Sequence, residues 1–401
     1  MPLPLHGTRV LDLSNIVAGP LCSYQLAMMG AEVIKVERPE TGDLSRKMGA
    51  DVSLGKVHMG VSFLSTNAGK KSITLNLKQE QGRAIFRDLV KDADVVFENF
   101  RPGVMDRLGL GYTALRDLSP GLVYCAVSGF GQDGPLAQRP AYDQIIQGFS
   151  GLMSVTGTPE SGPVRAGYLV CDAMGAMTAA FAIAAALCRK KESGEGAFID
   201  VSLLESTLAS MASWVVSNYA NAGKIPIPMG NENHSAAPSG TFQTKDGLLN
   251  IVNNEQKQYH ALCDVVEKPE WKTDPRWADR DDRIRNREEI RLALDAVLRE
   301  RPAAEWERLF TEAGVPAARV YSVPDIIAHP HLEERGFLKQ FDDVPGIGRG
   351  ATVASAGYRL AGEDTAPKTP PPQLGADTAD ILGALGYGED DIKALREKGT
   401  V

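Results

Sequence analysis

The chain has 401 residues, of which 43% are hydrophobic and 23% charged. That balance fits a soluble globular protein with a large core, of a size that forms two domains. A net charge of -8 excludes a surface built as a whole for nucleic acid or anionic membrane, so an anionic ligand must be held by a local basic cluster.

In the first half, short continuous apolar runs alternate with helical patterns. Arg9–Leu13 reads as a buried strand, Leu21–Met29 as a helix closed by Gly30, and Glu32–Glu37 as a second strand. Ser72–Leu77 reads as a third strand. Gln79–Asp92 is helical, with Ile85 and Leu89 one turn apart. Asp94–Glu98, Leu122–Ser128 and Phe198–Ser202 complete the strands. Apolar strands separated by helices predict a parallel sheet covered on both faces, an α/β, doubly wound domain.

The texture changes near Asn221. Ile225–Pro238 is loop-like, and Thr241–Thr244 and Leu248–Val252 flank the hairpin signal Lys245-Asp246-Gly247. Helical patterns follow at Tyr259–Val266, Asn286–Glu300 and Ala303–Ala313. Residues 225–330 therefore read as a small α+β domain. The tail returns to strands at Gly336–Phe341 and Ala351–Ala356, crosses a proline-rich passage at Pro367–Pro372, and ends in a helix pair, Thr378–Leu385 and Glu389–Lys398.

The most informative segment is Pro163–Asp172, which runs straight into the apolar stretch Ala173–Cys188. It places an acid at the mouth of a buried helix, where the dipole and the unpaired amides favour the ionised form. Such a carboxylate serves either as an N-cap or as a nucleophile. The apolar stretch has 16 residues, short of the roughly 20 that a bilayer needs, so a core helix rather than a membrane span is expected.

Several other chemistries are disfavoured. The turn Ser14–Pro20 lacks GxGxxG, so the strand-end acid Glu37 does not imply a dinucleotide. There is no GxSxG, no CxxC and no HExxH, and His329 and His331 lack a third evident ligand. The five cysteines are scattered and mostly apolar in context, which points to buried thiols in a reducing compartment. Met1–His6 shows no charged-then-apolar leader pattern, so a cytoplasmic protein is expected. In favour of a polyphosphate-like anion, Arg38, Lys78, Arg101 and Arg107 all follow strand ends, where ligands of doubly wound sheets gather. Ser128–Gly131 opens a glycine-rich loop after another strand, suited to close backbone approach.

Taken together, the segments Leu11–Ser14 with Ala18–Pro20, Gly30–Pro39 with Gly42-Asp43, Asn67–Lys78, Val96–Gly103, Asp106–Gly109, Ser128–Gly131, Arg139–Asp143, the Asp172 segment, Trp277–Arg287 and Leu374–Tyr387 carry a resemblance over almost the whole chain. The chain resembles the class III CoA-transferases, of the CaiB/BaiF type that includes formyl-CoA and carnitine CoA-transferases and shares its fold with α-methylacyl-CoA racemases. The resemblance implies a Rossmann-like doubly wound large domain (residues 1–224, rejoined by 331–401) with the small domain inserted, and an interlocked homodimer. It implies CoA or acyl-CoA as substrate, with no tightly bound cofactor and no metal. Val17, Ala18, Arg38, Leu75, Asn76, Leu77, Lys78, Asn99, Phe100, Arg101, Arg107 and Tyr142 would hold CoA. Some relatives have a Gln where this chain has Val17.

Asp172 falls on the nucleophile of the resembled family. The implied chemistry is a mixed aspartyl anhydride followed by an aspartyl-CoA thioester, with amides at the helix start stabilising the oxyanions. The Gly230–Ser235 loop lies where relatives have a glycine-rich flap, although this version has fewer glycines. Racemases of this fold carry Gly-His-Asp where the chain reads Ala141-Tyr142-Asp143. A tyrosine is a poor base near neutral pH, so transfer is expected over epimerisation. The expected substrates are an acyl-CoA and a small carboxylic acid, with succinyl-CoA and a dicarboxylate acceptor preferred. No nucleic acid or membrane partner is expected.

Overall fold

In strands covered on both faces, successive side chains must both be buried. Val10 and Leu11, Val33 and Ile34, and Val95 and Val96 are all close to zero exposure. The computed structural model, which describes residues 1–401, places them in one six-stranded sheet. Its strands are β1 (Arg9–Asp12), β2 (Glu32–Glu37), β3 (Lys70–Thr74), β4 (Val95–Glu98), β5 (Val123–Ser128) and β6 (Ala197–Ser202). The order is β3-β2-β1-β4-β5-β6, and every adjacent pair is parallel. Val10, Val33, Val95 and Val123 face one core, shared with the helices Ala18–Met28 and Val170–Ser193. Leu11, Ile34, Val96 and Tyr124 face the other, shared with Glu80–Lys91 and the C-terminal helices Thr378–Ala384 and Glu389–Glu397.

Strand order reverses between β1 and β4, so a crevice opens outside their carboxyl ends. The turns after these two strands are Leu13–Val17 and Asn99–Gly103. The third strand differs from the expected Ser72–Leu77. Its pairing with β2 stops at Glu37 opposite Thr74, and Asn76 turns its N–H to the Thr400 carbonyl at 2.8 Å. Leu75–Lys78 is thereby released to line the crevice.

The chain divides into two compact units. Met1–Met153, Arg165–Ile225 and His331–Val401 form the first, and Ser154–Val164 with Pro226–Pro330 form the second. The excursion 154–164 has no compositional mark in the sequence. In the second unit, β7 (Gly240–Gln243), β8 (Leu248–Ile251) and β9 (Ala317–Arg319) form an antiparallel sheet. It packs with Tyr259, Trp271, Trp306 and Phe310 on the helices around it and with Trp277 in the turn before Arg280–Arg285. The returning segment of the first unit adds the antiparallel pair β10 (Leu338–Val344) and β11 (Arg349–Ala354), fixed by the Tyr24 hydroxyl donating to the Ala354 carbonyl at 2.7 Å. Both strands lie two or three residues from where the sequence pattern placed them.

The helix carrying Asp172 has 24 residues, Val170–Ser193, not the 16 of its apolar stretch. By length and composition it could cross a membrane. Instead Cys171, Gly175, Ala179, Ile183 and Leu187 bury one face of it against the sheet. Gly175 lets the next helix, Leu203–Ser210, approach closely, since a Cβ there would lie 2.2 Å from the Leu203 side chain. On the opposite face Met177 and Phe181 stay in the open, Phe181 at 77% exposure.

Candidate active site

The crevice is built on a buried ionic network. Asp12, the last residue of β1, accepts from the Ser14 N–H (2.9 Å) and hydroxyl (2.5 Å) and from the Ser23 hydroxyl (2.6 Å). Lys70 Nζ stands 3.2 Å from the same carboxylate and donates to the Pro20 carbonyl at 2.9 Å. Lys35 Nζ donates to the Ser14 carbonyl at 2.7 Å and pairs with Asp43 at 3.0 Å. Burial by itself would raise the Asp12 carboxyl, but Lys35 and Lys70 outweigh it and hold the group well below the usual carboxylate range. Burial pulls Lys70 down to about 8 against the attraction of Asp12. A network this dry is tolerable only because each charge meets both counter-charge and hydrogen bonds.

The network fixes the turn after β1. Asp43 Oδ1 accepts from the Ile16 N–H at 2.9 Å and the Ser45 N–H at 2.8 Å. Asn99 accepts from the Asn15 N–H at 2.8 Å and donates to the Asn15 carbonyl at 2.9 Å, which spends its amide on the turn. Gly19 has to be glycine, because a Cβ would meet the Ser14 side chain at 2.1 Å. Glu37, the strand-end acid, is committed to Arg46 through two contacts of 2.7 Å and is therefore closed to a ribose.

Two adjoining cavities open above this floor. The first, about 610 Å³, is lined by Arg38, Lys47, Lys78 and Arg107, with the Leu75–Leu77 stretch and Phe100 among its walls. None of the four cations is paired with a carboxylate, and the one acid in the lining, Glu37, is neutralised by Arg46. Such a chamber suits a ring system on its apolar wall and phosphates on its rim. The second, about 370 Å³, shares Asn15, Leu44 and Phe100 with the first and contains Val17, Ala18, Asn99, Arg101, Tyr142 and Asp172. Every residue that the resemblance assigns to CoA thus lines one cavity or the other. Lys47, Ser128 and Arg139 line them too. For Lys47 the only sequence signal was a lysine four residues after the Gly42-Asp43 pair.

Asp172 lies deeper in its helix than the sequence implied. Leu169 is the N-cap, and Asp172 sits in the first turn. The capping acid is Asp143, which accepts from the N–H groups of Cys171 (2.8 Å) and Asp172 (3.2 Å). Gln147 donates to Asp143 at 2.6 Å and to the Tyr168 carbonyl at 3.1 Å, while its own oxygen takes the Ala166 N–H at 2.8 Å. These bonds pin the approach to the helix. They also occupy two of the helix-start amides, the group to which the resemblance assigns oxyanion stabilisation. No protein hydrogen bond reaches the Asp172 carboxylate itself. Burial, and then the charge of Asp143, push its carboxyl up to about 7. The helix field was expected to favour ionisation, but desolvation and the neighbouring carboxylate win over it.

In the second unit, the Gly230–Pro238 loop is anchored by its carbonyls. Arg287 donates to Asn233 at 3.0 Å, Arg283 to Ala237 at 3.0 Å and Arg280 to Ser235 at 2.6 Å. The Trp277–Arg287 segment is thus tied to this loop through Arg280, Arg283 and Arg287.

With this geometry in hand, comparison with known proteins is direct. The model for CoA-transferase family III matches residues 5–378. The chain belongs to CoA-transferase family III. It is accordingly an enzyme of the CoA-transferase class, acting on CoA thioesters. Acetyl-CoA:oxalate CoA-transferase of Acetobacter aceti is 41% identical over 336 residues, 84% of this chain and 85% of that protein. Succinyl-CoA:glutarate CoA-transferase of Mus musculus is 35% identical over 400 residues, covering 99% and 90%. Succinyl-CoA–D-citramalate CoA-transferase of Chloroflexus aurantiacus is 34% identical, covering 100% and 98%. Among solved structures, a CaiB/BaiF family protein from Brucella suis superposes with a TM-score of 0.83 at 32% identity, over 96% of this family III chain and all of that one.

Proposed function

We propose that the enzyme moves CoA from an acyl-CoA donor to a small carboxylic acid with Asp172 as covalent carrier. The observation that carries this reading is a carboxylate without hydrogen-bond donors, in a cavity that shares Asn15, Leu44 and Phe100 with a chamber rimmed by four unpaired cations. The cations suit the phosphates of CoA, and the join between the cavities directs its thiol end to Asp172. An Asp172 oxygen attacks the thioester carbonyl, the C–S bond breaks, and a mixed anhydride and CoA thiolate result. The thiolate attacks the aspartyl carbonyl and displaces the donor acid, leaving an aspartyl-CoA thioester. The acceptor carboxylate attacks that thioester and releases the thiolate. The thiolate then attacks the acceptor carbonyl, which yields the new acyl-CoA and restores Asp172. Each step exchanges one acyl bond for another, so no net proton or electron is required. Because Asp143 occupies the first helix amides, oxyanion stabilisation falls to the side-chain donors of the cavity: Ser128, Arg101, Arg139 and Tyr142.

The relatives named above act on oxalate, glutarate or D-citramalate, all small dicarboxylic acids, and two of them use succinyl-CoA. This supports a dicarboxylate acceptor with succinyl-CoA as donor. Epimerisation receives no comparable support. No histidine lines the Asp172 cavity, Tyr142 replaces the base, and the Asp143 carboxylate is committed to the helix. The open apolar face formed by Met177 and Phe181, with Phe198 and Tyr219 also exposed, supports burial against a second copy, in the interlocked manner implied by the family. Five free thiols, four of them buried, support a reducing, cytoplasmic setting.

The test is to incubate the enzyme with succinyl-CoA and hydroxylamine and to map the peptides by mass. A hydroxamate on Asp172 is expected. An unmodified Asp172 in an enzyme that is turning over overturns the carrier assignment.

A further inference from the structure

We propose that Asp43 is a positioning residue for acyl-CoA. It clamps Ile16 in a left-handed backbone conformation and so joins the two walls of the binding crevice. This rests on the reading of the crevice as the acyl-CoA site. Ile16 has φ +73°, a region that a β-branched residue enters only when its surroundings enforce it. The enforcing contact is the 2.9 Å bond from its N–H to Asp43 Oδ1. Nothing local to the turn supplies this acceptor, since Asp43 is 27 residues away in sequence.

Asp43 is held from three sides. Its other oxygen pairs with Lys35 at 3.0 Å, and Lys35 in turn holds the Ser14 carbonyl at 2.7 Å. Its N–H donates to Glu37 at 3.0 Å, and Glu37 is fixed by Arg46. Its first oxygen also starts the short turn Leu44–Lys47 through the Ser45 N–H. One carboxylate thus ties the 14–16 turn to the 41–47 rim. Those two segments meet where the cavities adjoin, because Asn15 and Leu44 line both cavities and Ile16 lines the one containing Asp172. Lys47, one of the four rim cations, lies at the end of the same short turn. Without Asp43, the turn relaxes to a negative φ, Ile16 swings, and the passage from phosphate rim to nucleophile loses its shape.

The experiment uses the full chain and the variants Asp43→Ala, Ile16→Gly and the double variant, with CoA dissociation constants read by calorimetry and KM and kcat read in the transfer assay. Asp43→Ala removes the acceptor and is expected to weaken CoA binding and raise the acyl-CoA KM by about tenfold, equivalent to about 1.4 kcal/mol, with kcat changing by less than about threefold. Glycine needs no enforcement at positive φ, so removing the Asp43 carboxylate from the Ile16→Gly enzyme is expected to cost less than about twofold in affinity. A purely structural role for Asp43 predicts the same loss in both backgrounds, so a full tenfold loss in the Ile16→Gly background overturns the proposal, as does an Asp43→Ala enzyme of unchanged affinity. If Asp43→Ala does not fold by itself, the Ile16→Gly background is expected to restore folding, and a double variant that also fails to fold overturns the proposal. A parent enzyme that fails to bind CoA at all would instead refute the reading of the crevice, whatever the variants do.

Discussion

Replacing Asp172 should make the protein more stable, in a pH-dependent way. An ordinary aspartate carboxyl titrates near 3.8, whereas Asp172 is pushed up to about 7. At roughly 1.4 kcal/mol per tenfold in proton affinity, holding it ionised in the folded chain costs at most about 4 kcal/mol. Solvent reaches part of the side chain, which reduces this to a net of about 1–3 kcal/mol. The sign follows from linkage. Below about pH 4 the group is protonated in both folded and unfolded chains, and there is no penalty. Between about 4 and 7 the unfolded chain releases the proton and the folded chain does not, so stability falls as pH rises. Above about 7 the full penalty stands. Asp172→Asn keeps the shape and removes the charge, so urea denaturation at pH 8 should show a gain of about 1–3 kcal/mol that vanishes near pH 4. A gain independent of pH, or a loss of stability at pH 8, would refute the account of desolvation and like-charge repulsion at this site.

The same titration governs the rate: kcat/KM for acyl-CoA should climb about tenfold per pH unit up to about 7 and then level off, as pH-rate profiles in the free enzyme would show. Asp143→Asn retains an acceptor for the Cys171 N–H but removes the neighbouring charge, so the acidic limb should shift to lower pH by about half to one unit; an unmoved limb would show that Asp143 acts only as a cap. Asp172→Asn should lower kcat by at least about a thousandfold while CoA still binds, measured by single-turnover exchange and calorimetry on one preparation. Alanine at Arg38, Lys78 or Arg107 should each raise the acyl-CoA KM several-fold and weaken its dependence on ionic strength, with little change in kcat, because a rim charge attracts phosphate without touching the reacting carbonyl.

Strand periodicity carried the doubly wound sheet, because buried parallel strands advertise themselves as unbroken apolar runs. The strand-end cations were equally legible, since the carboxyl edge of such a sheet is fixed once the strands are found. What remained hidden was long-range. Asp143 caps a helix 28 residues away, and nothing near Asp172 announces that its amides are already taken. Asn99 and Glu37 carried ligand-like side chains at ligand-like places, yet Asn15 and Arg46 claim them first. The raised Asp172 carboxyl depends on burial, a property of the packed whole that the local helix field does not predict. Lys47 stayed silent because its role comes from a short turn whose start is set by Asp43.

The wall contributed by Leu75–Lys78 leans on the far end of the polypeptide. Asn76 donates its N–H to the Thr400 carbonyl at 2.8 Å and its amide to the Gly399 carbonyl at 3.3 Å, and the Thr400 hydroxyl reaches Gln79 at 2.6 Å. Deleting residues 398–401 would thus remove a buttress from the Leu75–Lys78 side of the crevice. The transferase would lose grip on its thioester while Asp172 and its surroundings stayed untouched.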